Sequence, residues 1–395
     1  MIGGLFKSAS RVALVAAAGV LAGGVAAQAA DLGGNCCADL EERVAELEAT
    51  TARKGNRKVS LTVYGQVNQQ LLWHDDDYGY REGKVTVRDN DAGMSRFGFR
   101  GEAQIRPDLT AGYVIEIGLG DQDYGMAGNV DDEKSALSIR HNYLYLDSKT
   151  FGRVSIGQTS QVTDGLYEIS LANAQLTPGS MDEHVNVLGG DIVSTFKTGF
   201  DGGRKQGVYY RTPTMAGFVA SVGYSHDTQS TSAWDAADYF EGALRYAGEF
   251  NGVRLAAGIG YRNKEDDNNS ANDSDTWLGS ASAMHTPTGL FVSGGYATTE
   301  FDNSAKDTDG FWVMAGIEKN WFGPGATTLY AEYSEVNYDQ ASSVSDGTYW
   351  GLGVVQKIDA AAMDLYLQFR NYELDATEAV RDDANVVSAG AIIRF

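Results

Sequence analysis

From Lys58 onward the dominant period of apolar and polar side chains is two, and helical spacing fits none of the alternating stretches. VSLTVYGQV sets Val59, Leu61, Val63, Gly65 and Val67 on one face and Ser60, Thr62, Tyr64, Gln66 and Asn68 on the other. LTAGYVIEIGLG repeats this, with Leu109, Ala111, Tyr113, Ile115, Ile117 and Leu119 opposite Thr110, Gly112, Glu116 and Gly118. MSRFGFRGEAQI, GFVASVGYS, VRLAAGIGYR and MDLYLQFRNY do the same. Successive side chains of a strand point to opposite faces, so each stretch is a strand with one greasy and one wet side. The final SAGAIIRF also alternates, with Ala389, Ala391, Ile393 and Phe395 on one side. A strand ending on an aromatic needs a partner for its edge.

Segment length carries the reading further. Starting from Val59–Trp73, about sixteen segments of roughly ten residues follow, the length that crosses an outer membrane as a tilted strand. Every second connection is short: Arg106-Pro107-Asp108, Thr150-Phe151-Gly152, Pro213–Ala216, Asn251-Gly252, Thr286–Gly289 and Phe322–Gly325. Those between them are longer and acidic, such as HDDDYGYREG and KEDDNNSANDSD. This asymmetry predicts an all-β fold, a closed antiparallel transmembrane β-barrel of about sixteen strands over residues 58–395, with both barrel ends in the periplasm. A soluble two-sheet sandwich also has period two, but it predicts no alternation of short and long connections. Aromatics near the strand ends fit two interfacial girdles: Phe218, Phe250, Trp321 and Phe395 by short turns, Tyr224, Tyr261 and Tyr296 by long loops. The last strand then closes on the first, leaving no edge in lipid.

The segment before the barrel reads as an address. Lys7 and Arg11 precede the apolar run Val12–Gly24, and Ala27-Gln28-Ala29 offers a cleavage site, so residues 1–29 are a predicted export signal. Residues 30–57 are predicted to hold a short periplasmic helix and a basic linker. Leu40, Val44, Leu47 and Thr51 follow a coiled-coil spacing, which a trimerising helix and a lone amphipathic helix explain equally. Cys36 and Cys37 are adjacent and have no spaced partners, so they form no disulfide framework; a vicinal or interchain disulfide and an inert pair of thiols both fit. A net charge of −22 argues against nucleic acid as a partner. The five histidines sit in no GxSxG or HExxH context, so neither an enzyme nor a cofactor or metal is expected.

With SRFGFRGE (Ser95–Glu102), YRTPTMAGFVASVGY (Tyr210–Tyr224) and the terminal Phe395 in place, the chain resembles the general diffusion porins of Gram-negative bacteria. Leu40–Asn68 resembles the start of alphaproteobacterial porins. The resemblance implies a sixteen-stranded homotrimer in the outer membrane, contacts with lipid and lipopolysaccharide, and a constriction loop, here about 161–204, folded into the lumen. It also implies recognition of the strand ending at Phe395 by the barrel-assembly machinery. The PEFGG-like loop tip of many such porins is absent. Alternative functions are a solute-specific channel, for example for sugars or anions, or a surface adhesin; Tyr64, Tyr366 and Tyr372 point inward without forming a continuous sugar track.

Charged rows inside a pore select its solutes. If Phe97 and Phe99 face lipid, Arg96, Arg100 and Glu102 face the lumen, and the same phase sends Arg140 and Arg153 inward. Arg96, Arg100 and Arg140 are the predicted basic wall; lumen salt bridges that stiffen the barrel are the alternative for each. Arg153, near a periplasmic turn, is read as such a bridge. The candidate acidic loop residues are Asp164, Glu168, Asp182, Glu183 and Asp191, with Asp182 and Glu183 assigned to the rim opposing the arginines.

Overall fold

The structure is a computed structural model that describes residues 58–76, 83, 85–90, 92–119, 137–174, 188, 192, 195–196, 198–227, 237–266, 270–302, 307–338, 346–375 and 383–395. The export signal of 1–29 and the helix and linker expected within 30–57 lie outside these residues. The first strands are β1 (Thr62–Asp76), β2 (Val85–Asp89), β3 (Arg96–Arg106), β4 (Leu109–Gly118), β5 (Ser138–Ser148) and β6 (Gly152–Ser160). There follow β7 (Arg204–Arg211), β8 (Phe218–His226), β9 (Ala237–Phe250), β10 (Val253–Asp266), β11 (Ser274–His285) and β12 (Leu290–Phe301). The remainder are β13 (Thr308–Lys319), β14 (Thr327–Tyr338), β15 (Asp346–Ile358), β16 (Met363–Asp375) and β17 (Asp383–Arg394).

From β3 onward each strand pairs antiparallel with the next, and β17 returns to β1 from Gln66↔Arg394 to Asp76↔Ala384, closing the ring. β2 and β3 both pair with β1, one above the other, so they are two halves of one stave. Seventeen strands therefore make a barrel of sixteen staves. No alternation signal marks the break between Asp89 and Arg96, because apolar positions continue on both sides of it.

The phase of the staves is as alternation requires. Val63, Leu144, Ile156, Ile259, Leu329 and Leu365 stand exposed on the outer face, where lipid is their solvent. Phe99 faces Val63 and Ile115 on that same side, and Phe97 meets Phe99 edge-on at 6.1 Å. Short hairpins close one end. Asn251 and Gly252 have φ of 50° and 77°, the two left-handed residues of the turn that matches strand twist.

The seam is fastened at its last residue. Gly65 N–H donates to Phe395 O at 2.9 Å, and Phe395 N–H donates to Gly65 O at 3.1 Å. The Phe395 ring lies over Gly65, where a Cβ would come within 2.6 Å of both the ring and Arg96 O. An aromatic covering a strand glycine pins register. Gly65→Val is accordingly expected to cost about 1–3 kcal/mol by overpacking. The measurement is the temperature at which the compact, unheated band converts to the unfolded band on a detergent gel; an unmoved midpoint contradicts the expectation.

The inner face differs from an all-polar lining. Met284, Phe291, Trp312, Met314, Tyr330 and Val355 point inward from β11–β15 and are buried, because the chain between β6 and β7 lies against them. Leu166, Tyr167, Ile169, Leu171 and Phe200 of that connection complete the cluster. Its backbone is satisfied by the wall: Ile169 and Leu171 N–H donate to Ser280 and Ser282 Oγ at 2.9 and 3.0 Å, and Asn173 N–H to Glu318 Oε2 at 2.7 Å. Trp312 Nε1 donates to Tyr167 O at 2.6 Å, and Ser280 Oγ to Leu166 O at 2.6 Å. Further along, Leu188, Ile192 and Phe196 pack on Tyr349, Tyr372, Leu374 and Val386. Irregular backbone at membrane depth is tolerated only in such a protein-lined setting.

Candidate functional site

Opposite this apolar wall stands a polar one. In a ring of sixteen staves, β3, β4 and β5 fall on staves two to four, and β11, β12 and β13 on staves ten to twelve, eight positions away. Residues 166–173 lie against the latter group, so half a turn separates them from β3–β5.

Glu116 is the hub of the polar wall. Arg140 Nε donates to its Oε1 at 2.8 Å, Arg96 Nε lies 3.8 Å from the same oxygen, and Tyr64 OH donates to Oε2 at 3.1 Å. His141 Nε2 is 3.8 Å away. Arg140 reaches this cluster through a bulge. Glu116 pairs with His141 but Ile117 pairs with Ile139, so Arg140 is the extra residue, and both it and His141 turn inward. Strict alternation back from the exposed Leu144 and Leu146 would have placed Arg140 outside; the phase argument from the sequence reached the right face without the bulge that produces it. Arg100 stands apart from Glu116. Its guanidinium lies over the Tyr64 ring at 5.4 Å, and it remains exposed.

A second cluster lies nearer the short turns. Arg153 Nε donates to Asp147 Oδ2 at 2.6 Å, with Arg211 Nη2 3.6 Å from the same oxygen. The Arg153 guanidinium lies 4.0 Å over the Tyr145 ring, whose hydroxyl donates to Glu102 Oε1 at 2.7 Å. Both levels thus pair two arginines with one carboxylate. Sequence reasoning put Glu116 on the wet face but missed it as a site residue, and missed Asp147 and Arg211. For Glu116 the available signal was a lone acid in phase with Gly112 and Gly118.

Two of the candidate loop acids fall near the start of the β6–β7 connection. Asp164 and Glu168, with Asp201, lie within electrostatic reach of Arg245 on β9. Arg245 Nη2 donates to the main-chain oxygens of Val162 and Asp164 at 3.1 and 2.8 Å. Glu241 accepts from Val162 N–H at 2.9 Å and Thr163 Oγ1 at 2.7 Å, and Arg262 Nη2 donates to Gly199 O at 2.8 Å. These contacts hold both roots of the connection. Burial, reinforced by Glu168 and Asp164, pushes the Asp201 carboxyl well above the usual carboxylate range, while it accepts Tyr167 N–H at 3.0 Å. Asp182, Glu183 and Asp191 lie outside the described residues.

A closed sixteen-stave barrel with a lipid-facing apolar band and a chain segment laid inside it is the architecture of an outer-membrane porin. The sequence matches the Gram-negative porin family model over residues 12–377, and the chain belongs to that family. Similar solved structures include the anion-selective porin of Comamonas acidovorans, at 18% identity and TM-score 0.59, covering 85% of this chain and 100% of that one. OmpF of Salmonella typhi is similar at 16% identity and TM-score 0.59, covering 87% and 99%. The trimer form of Vibrio cholerae OmpT gives 17%, 0.56, 85% and 99%. No curated protein sequence matches the chain.

Proposed function

We propose that this outer-membrane diffusion porin passes small hydrophilic solutes and ions between a basic wall on β3–β5 and the connection at 161–204. The observation that carries this is the sharing of Glu116 by Arg96 and Arg140 across from a segment packed on the far wall. Arg100 adds an exposed charge on the same wall. Asp164 and Glu168 act near the loop root, Asp182 and Glu183 are proposed to line the rim, and Asp191 is a further acid of the same connection. Arg96, Arg100, Arg140, Arg153 and Arg211 stand on this wall with Glu102, Glu116 and Asp147, so it carries excess positive charge and favours anions. The Comamonas porin, itself anion-selective, supports the same preference here.

The working unit is a homotrimer of the alphaproteobacterial type, embedded in outer-membrane lipid and lipopolysaccharide and delivered by the barrel-assembly machinery through β17. Gln69 and Asp89 support a subunit face on β1–β5. They are hydrogen-bonded at 3.1 Å, and their phase with Val67, Leu71 and Val87 puts them on the outer side. Exposed Asn142 lies on the same side of β5, and polar groups of this kind are costly against lipid.

Single-channel recording in a planar bilayer tests these readings together. Ohmic steps in threes are expected, with a reversal potential under a salt gradient on the anion side. Reversing Arg96 and Arg100 to glutamate should move that potential toward cations; a potential that stays put makes both side chains structural.

A further inference from the structure

The break in stave two has a direction. On β1, Gln69 faces Asp89 and Gln66 faces Arg96, so two residues of β1 stand opposite an interval of six, residues 90–95. Four residues more than a continuous strand can hold must leave the sheet. The ladder is sealed behind them by side chains: Asn68 N–H donates to Ser95 Oγ at 2.9 Å, and Ser95 N–H to Asp89 Oδ1 at 2.9 Å.

The excursion goes into the bore. Gln66, Asn68 and Gln70 point inward from β1, yet each is buried, because the excursion covers them. Gln66 Nε2 donates to Gly93 O at 2.6 Å, and Asn68 Nδ2 donates to the same oxygen at 3.1 Å. Asn90 Nδ2 donates to Gln70 Oε1 and to Tyr366 OH, both at 3.2 Å, and Tyr366 OH donates to Asn68 Oδ1 at 2.9 Å. On its other flank Met94 Sδ lies 3.2 Å from Arg140 Nη1 and so close to Gly118 that a Cβ there would meet it at 2.8 Å. The excursion is thus tied to β1, β16 and β5 at the level of the Glu116 cluster, with Ala92 and Gly93 left partly exposed.

We infer that the segment between Asp89 and Arg96 is a second, fixed narrowing element, a lip on the arginine side that sets the aperture jointly with the β6–β7 connection and holds Arg140 in place. This rests on the reading of the chain as a conducting pore. A lip tethered by side-chain amides adds cross-section to the wall, so its effect is read in solute size.

The test measures single-channel conductance and the swelling of liposomes in a size series of uncharged sugars, for wild type, Ala92→Trp and a chain with residues 90–93 excised. Excision leaves Met94 and Ser95 to span the two β1 positions as plain strand. Excision is expected to raise conductance and admit larger sugars; Ala92→Trp is expected to lower conductance and exclude sugars that wild type passes. Should the excised chain not assemble, Ala92→Trp decides alone. A folded Ala92→Trp with wild-type conductance and size limit overturns the lip while leaving the pore standing. Wild-type protein that carries no current overturns the pore reading, and the lip with it.

Discussion

Trp312→Ala detaches the β6–β7 connection from the wall that supports it, at an expected cost of about 3–5 kcal/mol. The indole is fully buried, packs edge-on against Tyr167 at a centroid distance of 6.4 Å, and donates to the Tyr167 main-chain oxygen. Removing it opens a large cavity and leaves that carbonyl without its donor, two penalties that add. Neighbouring Leu166, Ile169 and Phe200 lose packing with it, since all belong to one cluster. The barrel's own hydrogen-bonded ladder is untouched, so the loss falls on docking of the connection. In single-channel traces this appears as added open-channel noise and brief closures, with the gel conversion temperature lowered. Quiet traces at wild-type conductance would show that the remaining anchors at Ser280, Ser282 and Glu318 suffice.

Glu332→Ala is expected to be as damaging for a different reason. Arg370 and Glu332 have fully buried side chains, with Nε to Oε1 at 2.6 Å and Nη2 to Oε2 at 3.3 Å. Gln368 Nε2 donates to the same carboxylate at 2.8 Å, and the guanidinium lies over the Tyr349 ring at 4.8 Å. Deleting one partner of such a pair leaves an uncompensated charge, which costs about 3–5 kcal/mol. Replacing both partners together, Glu332→Leu with Arg370→Met, should recover most of that loss, because the desolvation of both ions is then removed. Guanidinium unfolding followed by tryptophan fluorescence separates the two outcomes. A double variant no better than the single one would mean the pair is held by packing geometry rather than by charge balance.

The barrel itself was legible because lipid imposes a period of two on every stave. Val63, Phe97, Phe99 and Ile115 must face out, and that alone orients Tyr64, Arg96 and Glu116 inward. Short turns such as Asn251-Gly252 then order the staves. Departures from the ladder were not legible. The excursion after Asp89 adds four residues and keeps Val87 and Phe97 in one phase, so alternation reads through it. The bulge at Arg140 instead moves the exposed set from Ile139 to Leu144, a shift that strict alternation does not anticipate. The apolar inner wall was hidden for a related reason: Trp312 and Met314 sit in the phase that alternation assigns to polar residues, and only the loop resting on them explains it. The acids near Arg245 were picked by charge alone, which carries no information about which wall the connection returns to.

One consequence concerns how such a channel can change over evolutionary time. The arginines of the polar wall sit on β3–β7, whereas the polar anchors of the inserted segment at Arg245, Ser280, Ser282, Trp312 and Glu318 are drawn from β9–β13. Ionic preference and mechanical support therefore occupy different arcs of the ring. Substitutions on one arc can retune what is admitted without loosening what holds the gap open, so the two properties are free to drift independently.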